Sequence, residues 1–524
     1  MPQKMKIWSK KNIPLVCLGF VAVILLAGIL GFLSSKTAGI IILFLMLFSA
    51  IYRPLIGITL LVMSQILDIF NVFGLRIYHW AVIFLIISLI LNYFNFIKNK
   101  TDKKTKAKVG LFKILKNFSL ALSIRLYILF RENRYFVILL SLLIISSIIA
   151  IANSPDPLFS AKQTVALIFS IAICYVTYYW IRVKKYGQKQ VLLAFIYSSI
   201  PVCVLAIYQN LAQELGFKSF QIMTARPNAA FFEPDWLGIY TVLIIGFIFP
   251  LLFLKLYKKK LRFDKEFAKI TALSLLNLIV LIISVARASW VALIAGIIII
   301  FSWIALLKLS GRIGSKIFKK FSLTIILFAG LFIVSIILIK SLSLSRFNLW
   351  DRFESIYKGQ HIITMAEKDG VNKKIDLEEI EKYKAMGYRI YEDKTKDENI
   401  QSRFRAYDTN LELVKENWLL GRGQGSIMVK RDYLHNANNI FFEWWISSGL
   451  LGLTAFILML AAPLIKILKT LKNKKKLGAN TLFYQFTVLL GIGAIIITNL
   501  FNSAIFFIPM WIYIGFIYAI KEKL

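Results

Sequence analysis

The feature that most limits what this chain can fold into is the recurrence of long apolar runs. They are about 15 to 25 residues each, and most are long enough to cross the hydrocarbon of a bilayer, about 30 Å, as a helix. Fourteen are read, at about 13–33, 37–51, 55–70, 80–97, 135–152, 164–181, 191–211, 236–254, 270–285, 289–307, 321–340, 440–465, 479–499 and 501–520. The second and third are short and meet at Tyr52-Arg53-Pro54, so they form either two crossings or one broken pair. Lys4, Lys6, Lys10 and Lys11 precede the first run, which is too long for a signal peptide and has no clear cleavage site; an uncleaved anchor is expected. Composition agrees: 58% of residues are hydrophobic and 17% charged, where soluble domains sit near 45–50% and about 25%. A soluble enzyme and a disordered basic tail are both excluded.

Charge placement orients the runs. The chain has 64 Lys and Arg against 27 Asp and Glu, a formal +37. Such a surplus can mark a nucleic-acid binder, but here it follows the spans. With a cytoplasmic N-terminus, the cytoplasmic loops hold eleven Lys/Arg at 98–134, four at 182–190, seven at 255–269, five at 308–320 and six at 466–476. The acids on that side are Asp102, Glu132, Asp264, Glu266 and Glu522, so about +35 of the net charge lies inside. The short outer loops carry only Lys36, Arg76, Lys162, Lys218, Arg226 and Arg287. The positive-inside rule therefore puts both termini in the cytoplasm. Attraction to anionic inner-leaflet lipid is secondary, and no nucleic-acid partner is expected.

The chain then divides into N-terminal membrane helices (1–97), a basic cytoplasmic loop (98–134), central membrane helices with the Arg226 and Arg287 outer loops (135–340), a large extracytoplasmic loop (341–439) and C-terminal membrane helices (440–524). The fold class is an all-α polytopic membrane protein with about 12–14 transmembrane helices and one large, partly helical extracytoplasmic loop. That loop balances 17 Lys/Arg against 16 Asp/Glu. Ile375 to Met386 reads as a solvated helix. Gln401 to Asn417 reads as a second, with Tyr407, Leu411 and Val414 at helical spacing and a stop at Gly421. Phe441, Phe442, Trp444 and Trp445 follow, as an interfacial belt or as a platform for sugar rings or a lipid carrier. Cys17, Cys174 and Cys203 all fall inside spans, so no disulfide framework or Cys/His metal pattern is available. Gly421-Arg422-Gly423-Gln424-Gly425 lacks the Lys-Ser/Thr of a phosphate-binding loop and faces away from cytoplasmic ATP.

Three outward polar features carry the candidate chemistry. Arg226 lies in Thr224-Ala225-Arg226-Pro227-Asn228, with Glu233-Pro234-Asp235-Trp236 close behind. Arg287, in Ser284-Val285-Ala286-Arg287-Ala288-Ser289, sits at the tip of a tight hairpin between two apolar helices. An arginine there either snorkels to the headgroups or serves a function, because charge is costly at that depth. His435-Asn436-Ala437-Asn438-Asn439 lies where the large loop returns to the membrane, in a chain with only 3 histidines. Two arginines can clamp phosphate oxygens, and a histidine of ordinary pKa, about 6.5, can take a proton near neutral pH. With no ATP outside, the donor must be pre-activated. A sugar on a lipid diphosphate qualifies, and arginine would stabilise its departing charge without a metal or other cofactor.

These blocks resemble the bacterial O-antigen ligase / Wzy-type polymerase superfamily. The resemblance rests on Arg226-Pro227-Asn228 with Glu233-Pro234, on Ser-x-x-Arg-x-Ser at 284–289, and on the stretch from Arg403 to Gly452. That stretch contains Arg403-Phe404-Arg405, Trp418-Leu419-Leu420-Gly421-x-Gly423-x-Gly425, His435-Asn436-x-x-Asn439 and Ser448-Gly449-Leu450-Leu451-Gly452. It covers roughly 226–465, while family members typically have about twelve spans rather than fourteen, and 360–400 has no counterpart. The resemblance implies that Arg226, Arg287 and His435 are the catalytic set, and that the donor is an undecaprenyl-diphosphate-linked glycan. A glycan, lipid or protein would be the acceptor, and the active site would sit on the outer side of the bacterial cytoplasmic membrane, among membrane lipids. Arg403, Arg405, Asn436 and Asn439 are candidate substrate-binding residues. Two other functions fit a chain of this kind: a lipid-glycan flippase, and a metal-dependent glycosyltransferase ligated by Glu233 and Asp235, although Asp235 also reads as a helix N-cap. The orientation is testable with truncations fused to a reporter active only outside the cytoplasm. Fusions after residue 400 should be active and fusions after residue 312 inactive; the reverse would overturn the charge argument.

Overall fold

The computed structural model describes residues 133–182, 188–217, 226–258, 264–345, 360–368, 371–374, 380–396, 398–430, 437–472 and 476–520, with Thr59, 71–72, 75–76, Ile83, 219, 221 and 223. The four expected spans between 13 and 97, the Tyr52-Arg53-Pro54 junction and nearly all of the 98–134 loop lie outside the described residues, apart from those few positions. There β1 (Asn71–Val72) pairs antiparallel with β2 (Leu75–Arg76). From residue 133 the expected spans appear as helices: α1 (Asn133–Asn153), α2 (Pro157–Arg182), α3 and α4 (Gln188–Tyr197 and Ser199–Glu214, together one span), α5 (Pro234–Lys258), α6 (Lys265–Ile283), α7 (Arg287–Leu309) and α8 (Ser315–Ser341). After the large loop come α12 (Ile440–Lys469), α13 (Ala479–Asn499) and α14 (Ile508–Ala519). Among the described residues nine helices are long and apolar enough to cross a membrane.

The last expected span differs. Its helix begins only at Ile508, with Pro509 in the first turn, and covers 12 residues. At 1.5 Å per residue this is about 18 Å, short of a bilayer crossing. Residues 500–507 ahead of it run as irregular chain, and that segment proves central to the site.

Helix α5 is central: 94% of its most apolar stretch is buried, against 22% for the equally apolar α8 at the edge of the bundle. Around α5 pack α3, α6, α7, α8, α13 and α14, and α14 lies along α2. Aromatic side chains fill the centre: Phe247 lies 4.3 Å from Tyr513 and 4.8 Å from Phe516, ring centre to ring centre. Cys174 and Cys203 are free and buried. At the end of the bundle with the basic loops, Arg312 Nη2 donates to Leu471 O at 2.6 Å, and Leu477 N donates to Arg312 O at 2.9 Å.

The large loop contains more than helices. Strands β3 (Gln360–Lys368), β4 (Val371–Lys374) and β5 (Arg389–Lys396) form an antiparallel sheet in the order β4-β3-β5, with Gln360 opposite Lys396 and Glu367 opposite Arg389. Helix α9 (Ile380–Ala385) is shorter than the helix expected over Ile375 to Met386, and 375–379 lie outside the described residues. Charged residues hide these strands in the sequence, leaving only β-branched and aromatic positions such as Ile362, Ile363, Ile390 and Tyr391 as a signal. The second expected helix is present as α10 (Glu398–Glu416) and is followed by the short α11 (Ser426–Lys430). The buried face of α10 is Ala406, Asn410, Leu413 and Val414; Leu411 points outward.

As one straight helix α12 would be about 45 Å long. It breaks at Gly449 (φ 66°, ψ −168°), leaving 450–469 as a segment that spans about 30 Å. The break frees backbone groups, and the loop occupies them. Arg422 N donates to Ile446 O at 2.7 Å, Gly423 N to Ser447 O at 3.1 Å, and Leu450 N to Trp418 O at 3.0 Å and to Leu419 O at 3.2 Å. Gln424 Nε2 seals the joint by donating to Ser448 Oγ at 2.9 Å and to Ser147 Oγ of α1 at 3.2 Å. A Cβ on Gly449 would sit 2.2 Å from Leu419 O in a backbone conformation that only glycine adopts readily. Gly449→Ala should therefore destabilise the protein by about 1–3 kcal/mol and lower its melting midpoint in detergent. An unchanged midpoint would mean that the break is not rigidly held.

Candidate functional site

The 226–233 loop, the α6–α7 hairpin and the chain entering α12 meet at one end of the bundle. Each contains a non-glycine residue with positive φ: Ala229 at 49°, Val285 at 53° and Asn438 at 52°. Such backbone is uncommon, costs energy, and persists only where its surroundings enforce it. In each segment polar side chains do the enforcing.

Gln209 of α4 grips the first. Its Oε1 accepts the amides of Asn228 (3.1 Å) and Ala229 (2.7 Å), and its Nε2 donates to Ala229 O at 3.2 Å. Asn228 Nδ2 closes the turn on Phe231 O at 2.6 Å. Arg226 then reaches the second segment. Its Nε donates to Ser284 O at 3.1 Å, and its Nη2 to Asp235 Oδ1 at 2.6 Å and to Val285 O at 3.4 Å. The carbonyls at the end of α6 have no helical partner, and a cation suits that end of the helix dipole. Arg226 caps α6 while Asp235 balances its charge. Asp235 is the second residue of α5 rather than the expected N-cap.

Arg287 is the first residue of α7, so it stands where unpaired helical N–H groups favour anions. Its neighbours are tightly set: Trp290 Nε1 donates to Leu281 O at 2.8 Å, and Ser284 Oγ to the same carbonyl at 2.8 Å. Helix α5 comes so close that a Cβ on Gly238 would lie 2.3 Å from Ala286 Cβ.

His435 and Asn436 lie outside the described residues; the chain resumes at Ala437. Ala437 is held from two sides, its carbonyl accepting Asn410 Nδ2 of α10 at 2.8 Å and its amide donating to Glu443 Oε2 at 2.8 Å. Glu443 is buried, and Ser447 Oγ donates to its other oxygen at 3.5 Å. Asn439 is the N-cap of α12. Its Oδ1 accepts from Phe441 N and Phe442 N at 2.9 and 3.3 Å, and its Nδ2 donates to Leu500 O at 3.2 Å. Arg403 and Arg405 fall in the first half of α10, and their side chains lie outside the described residues. Of the four aromatics read as a belt or platform, Trp444 is core, stacked on Phe456 at 5.4 Å, and Phe442 lies 5.6 Å from Tyr407.

Residues 500–507 join the arginine blocks to the α12 entrance. At one end Leu500 O accepts from Asn439 and from the Tyr407 hydroxyl. At the other, Phe507 packs against Phe231 at 5.6 Å and Trp236 at 5.3 Å, beside the Arg226–Asp235 pair. In between, Asn499 Oδ1 accepts Ala504 N at 2.8 Å.

Residues 272–457 match the family model of O-antigen ligase. Over these residues the chain is similar to the O-antigen ligase domain. The match opens inside α6, takes in Arg287 and the whole large loop, and closes in α12 beyond Gly449, so Arg226 and Asp235 support the ligase domain from outside its limits. No curated protein matches the chain. Together with the nine apolar helices, the match supports a membrane protein with a glycan-transferring role.

Several residues of this end escape a reading of the sequence. Gln209 and Glu443 sit inside apolar spans, where a lone polar residue is the available signal. Residues 500–507 read as membrane helix because all but Asn502 and Ser503 are apolar. The glycine-rich stretch is no phosphate cradle, since the Arg422 and Gly423 amides are spent on α12. Arg422 itself pairs with Glu416, and burial holds its guanidinium below its ordinary value. Among the described residues no three His, Cys, Asp or Glu side chains gather closely enough to hold a metal ion.

The geometry gives Arg226 a structural role. Arg226→Lys cannot reproduce the fork to two carbonyls and a carboxylate, so it should lower the melting midpoint, by about 1–3 kcal/mol of stability. An unchanged midpoint would contradict this structural role for Arg226.

Proposed function

We propose that the chain transfers or polymerises an undecaprenyl-diphosphate-linked oligosaccharide at the outer face of the bacterial cytoplasmic membrane, with both termini in the cytoplasm. The supporting observation is that the Arg287 hairpin and the entrance of α12, which carries His435 just ahead of it, belong to one end of the bundle and are tied together through residues 500–507. In this reading His435 takes the proton of an acceptor hydroxyl, whose oxygen attacks the anomeric carbon of the donor sugar. The bond from that carbon to the diphosphate breaks, and its electron pair leaves on the diphosphate oxygen. Arg287, with the amides at the start of α7, stabilises that charge. Arg226 fixes the hairpin that carries Arg287. Arg403 and Arg405 are further contacts for donor or acceptor, and Asn436 and Asn439 shape the histidine segment.

No step requires a metal. Asp235, which a metal-dependent alternative would use, is bonded to Arg226. The acceptor is a growing glycan, a lipid or a protein. Deleting the gene and resolving the surface glycan distinguishes the two activities: single repeats indicate a polymerase, and full-length chains stranded on the lipid carrier indicate a ligase.

With purified protein and a lipid-diphosphate glycan, His435→Ala should slow transfer by about 10²–10⁴-fold. Arg287→Ala should slow it by about 10²-fold or more. Turnover in the presence of a strong chelator should be unchanged. Wild-type rates in both variants would refute the assigned site, and loss of activity on chelation would refute metal independence.

A further inference from the structure

The stretch after α10 is apolar and exposed. Trp418, Leu419 and Leu420 are 51, 52 and 48% accessible. Consecutive large apolar side chains do not normally stand in water, and a contiguous patch of them marks an interaction surface. The structure sets their depth. The Trp418 and Leu419 carbonyls both accept the amide of Leu450, and Trp418 O also accepts Trp445 Nε1 at 3.0 Å. Leu450 and Leu451 begin the 450–469 segment, which is just long enough to cross the hydrocarbon, and they are 38 and 41% accessible. Farther along that segment Ile457 and Leu458 are also exposed, as lipid-facing residues of a span should be. The Trp418–Leu420 turn is thus continuous with the lipid-facing surface and bonded to it by its backbone.

We propose that Trp418-Leu419-Leu420 inserts into the outer leaflet and that its occupant is the acyl chains of bulk phospholipid. The turn is a lipid-inserted wedge belonging to a loop that is otherwise charged. The carbonyls of Trp418 and Leu419 already accept the Leu450 amide, and the amide of Gly421 donates to Asn417 O at 2.9 Å, which lowers the cost of placing this turn away from water. The wedge fixes the height of α10 above the bilayer, and Asn410 of α10 holds the segment that follows His435. The inference does not depend on the catalytic assignment.

The test uses the full chain with Cys17, Cys174 and Cys203 replaced, carrying a nitroxide at Leu419→Cys or, separately, at Leu420→Cys. Both proteins are reconstituted in phospholipid vesicles without any polyprenyl lipid. Leu458→Cys serves as the lipid reference and Glu381→Cys, on the solvated α9, as the aqueous one. Power saturation should show both wedge labels accessible to oxygen and shielded from a water-soluble nickel chelate, with an oxygen-to-nickel ratio at least several-fold above that of Glu381→Cys. A ratio equal to the Glu381→Cys value would put the turn in water. Exclusion of both relaxants would mean that protein covers it. Either result would overturn the proposal, and neither would bear on the assignment of His435 and Arg287.

Discussion

In hydrocarbon a backbone amide or carbonyl that loses its helical partner finds no water to replace it. That constraint organises the end of the bundle that holds the Arg226 and Arg287 blocks, because the helices stop or break there repeatedly. The end of α6 is completed by Arg226, which accepts no substitute of lesser geometry since it serves two carbonyls and a carboxylate at once. The break in α12 is completed by the backbone of the 418–423 stretch, whose carbonyls and amides take the places of the lost helical turn. The start of α12 is completed by Asn439, and the chain leaving α13 by Asn499. The residues that form the sequence motifs are, in large part, the ones that keep irregular backbone satisfied at the membrane boundary.

The same constraint sets the two arginine blocks. Arg226 is consumed by structure and leaves the hairpin set with a strained Val285. Arg287, one helical start further on, is placed by that hairpin. Polar side chains also hold the histidine segment, where Asn410, Glu443 and Asn439 fix the chain immediately after it.

Much of the fold is legible in the sequence because the hydrocarbon thickness dictates one helix length and one composition. The spans at 135–152, 236–254 and 479–499, among others, fall on α1, α5 and α13 within a few residues. The three motif blocks are legible too, as rare polar residues between apolar runs. What is not legible follows from degeneracy. Residues 500–507 are mostly apolar and read as part of a span, yet Pro509 and the Asn499 side chain, which takes the Ala504 amide, accompany a helix that begins only at Ile508. The β3–β5 sheet is written in charged residues, so its alternation is faint. Helical spacing puts Leu411 on the inward face of α10 and the structure turns it outward, because half-exposed leucines and buried ones look alike in a sequence.

By itself the sequence determined that the chain is a helical membrane protein and, through its lysines and arginines, which way it should sit. It also supplied the short list of polar residues from which chemistry must be drawn. Those follow from one-dimensional quantities: run length, charge per loop, and the cost of a polar side chain in hydrocarbon. Only the tertiary structure decided that Arg226 is bonded to Asp235 and the hairpin, that Gly449 breaks α12 against the 418–423 stretch, and that a buried Glu443 holds the chain beyond His435. Hydrogen bonds of this kind join positions far apart in the chain, 61 residues between Asn439 and Leu500 and 277 between Gln424 and Ser147. Only packing of the helices around α5 brings such partners within reach.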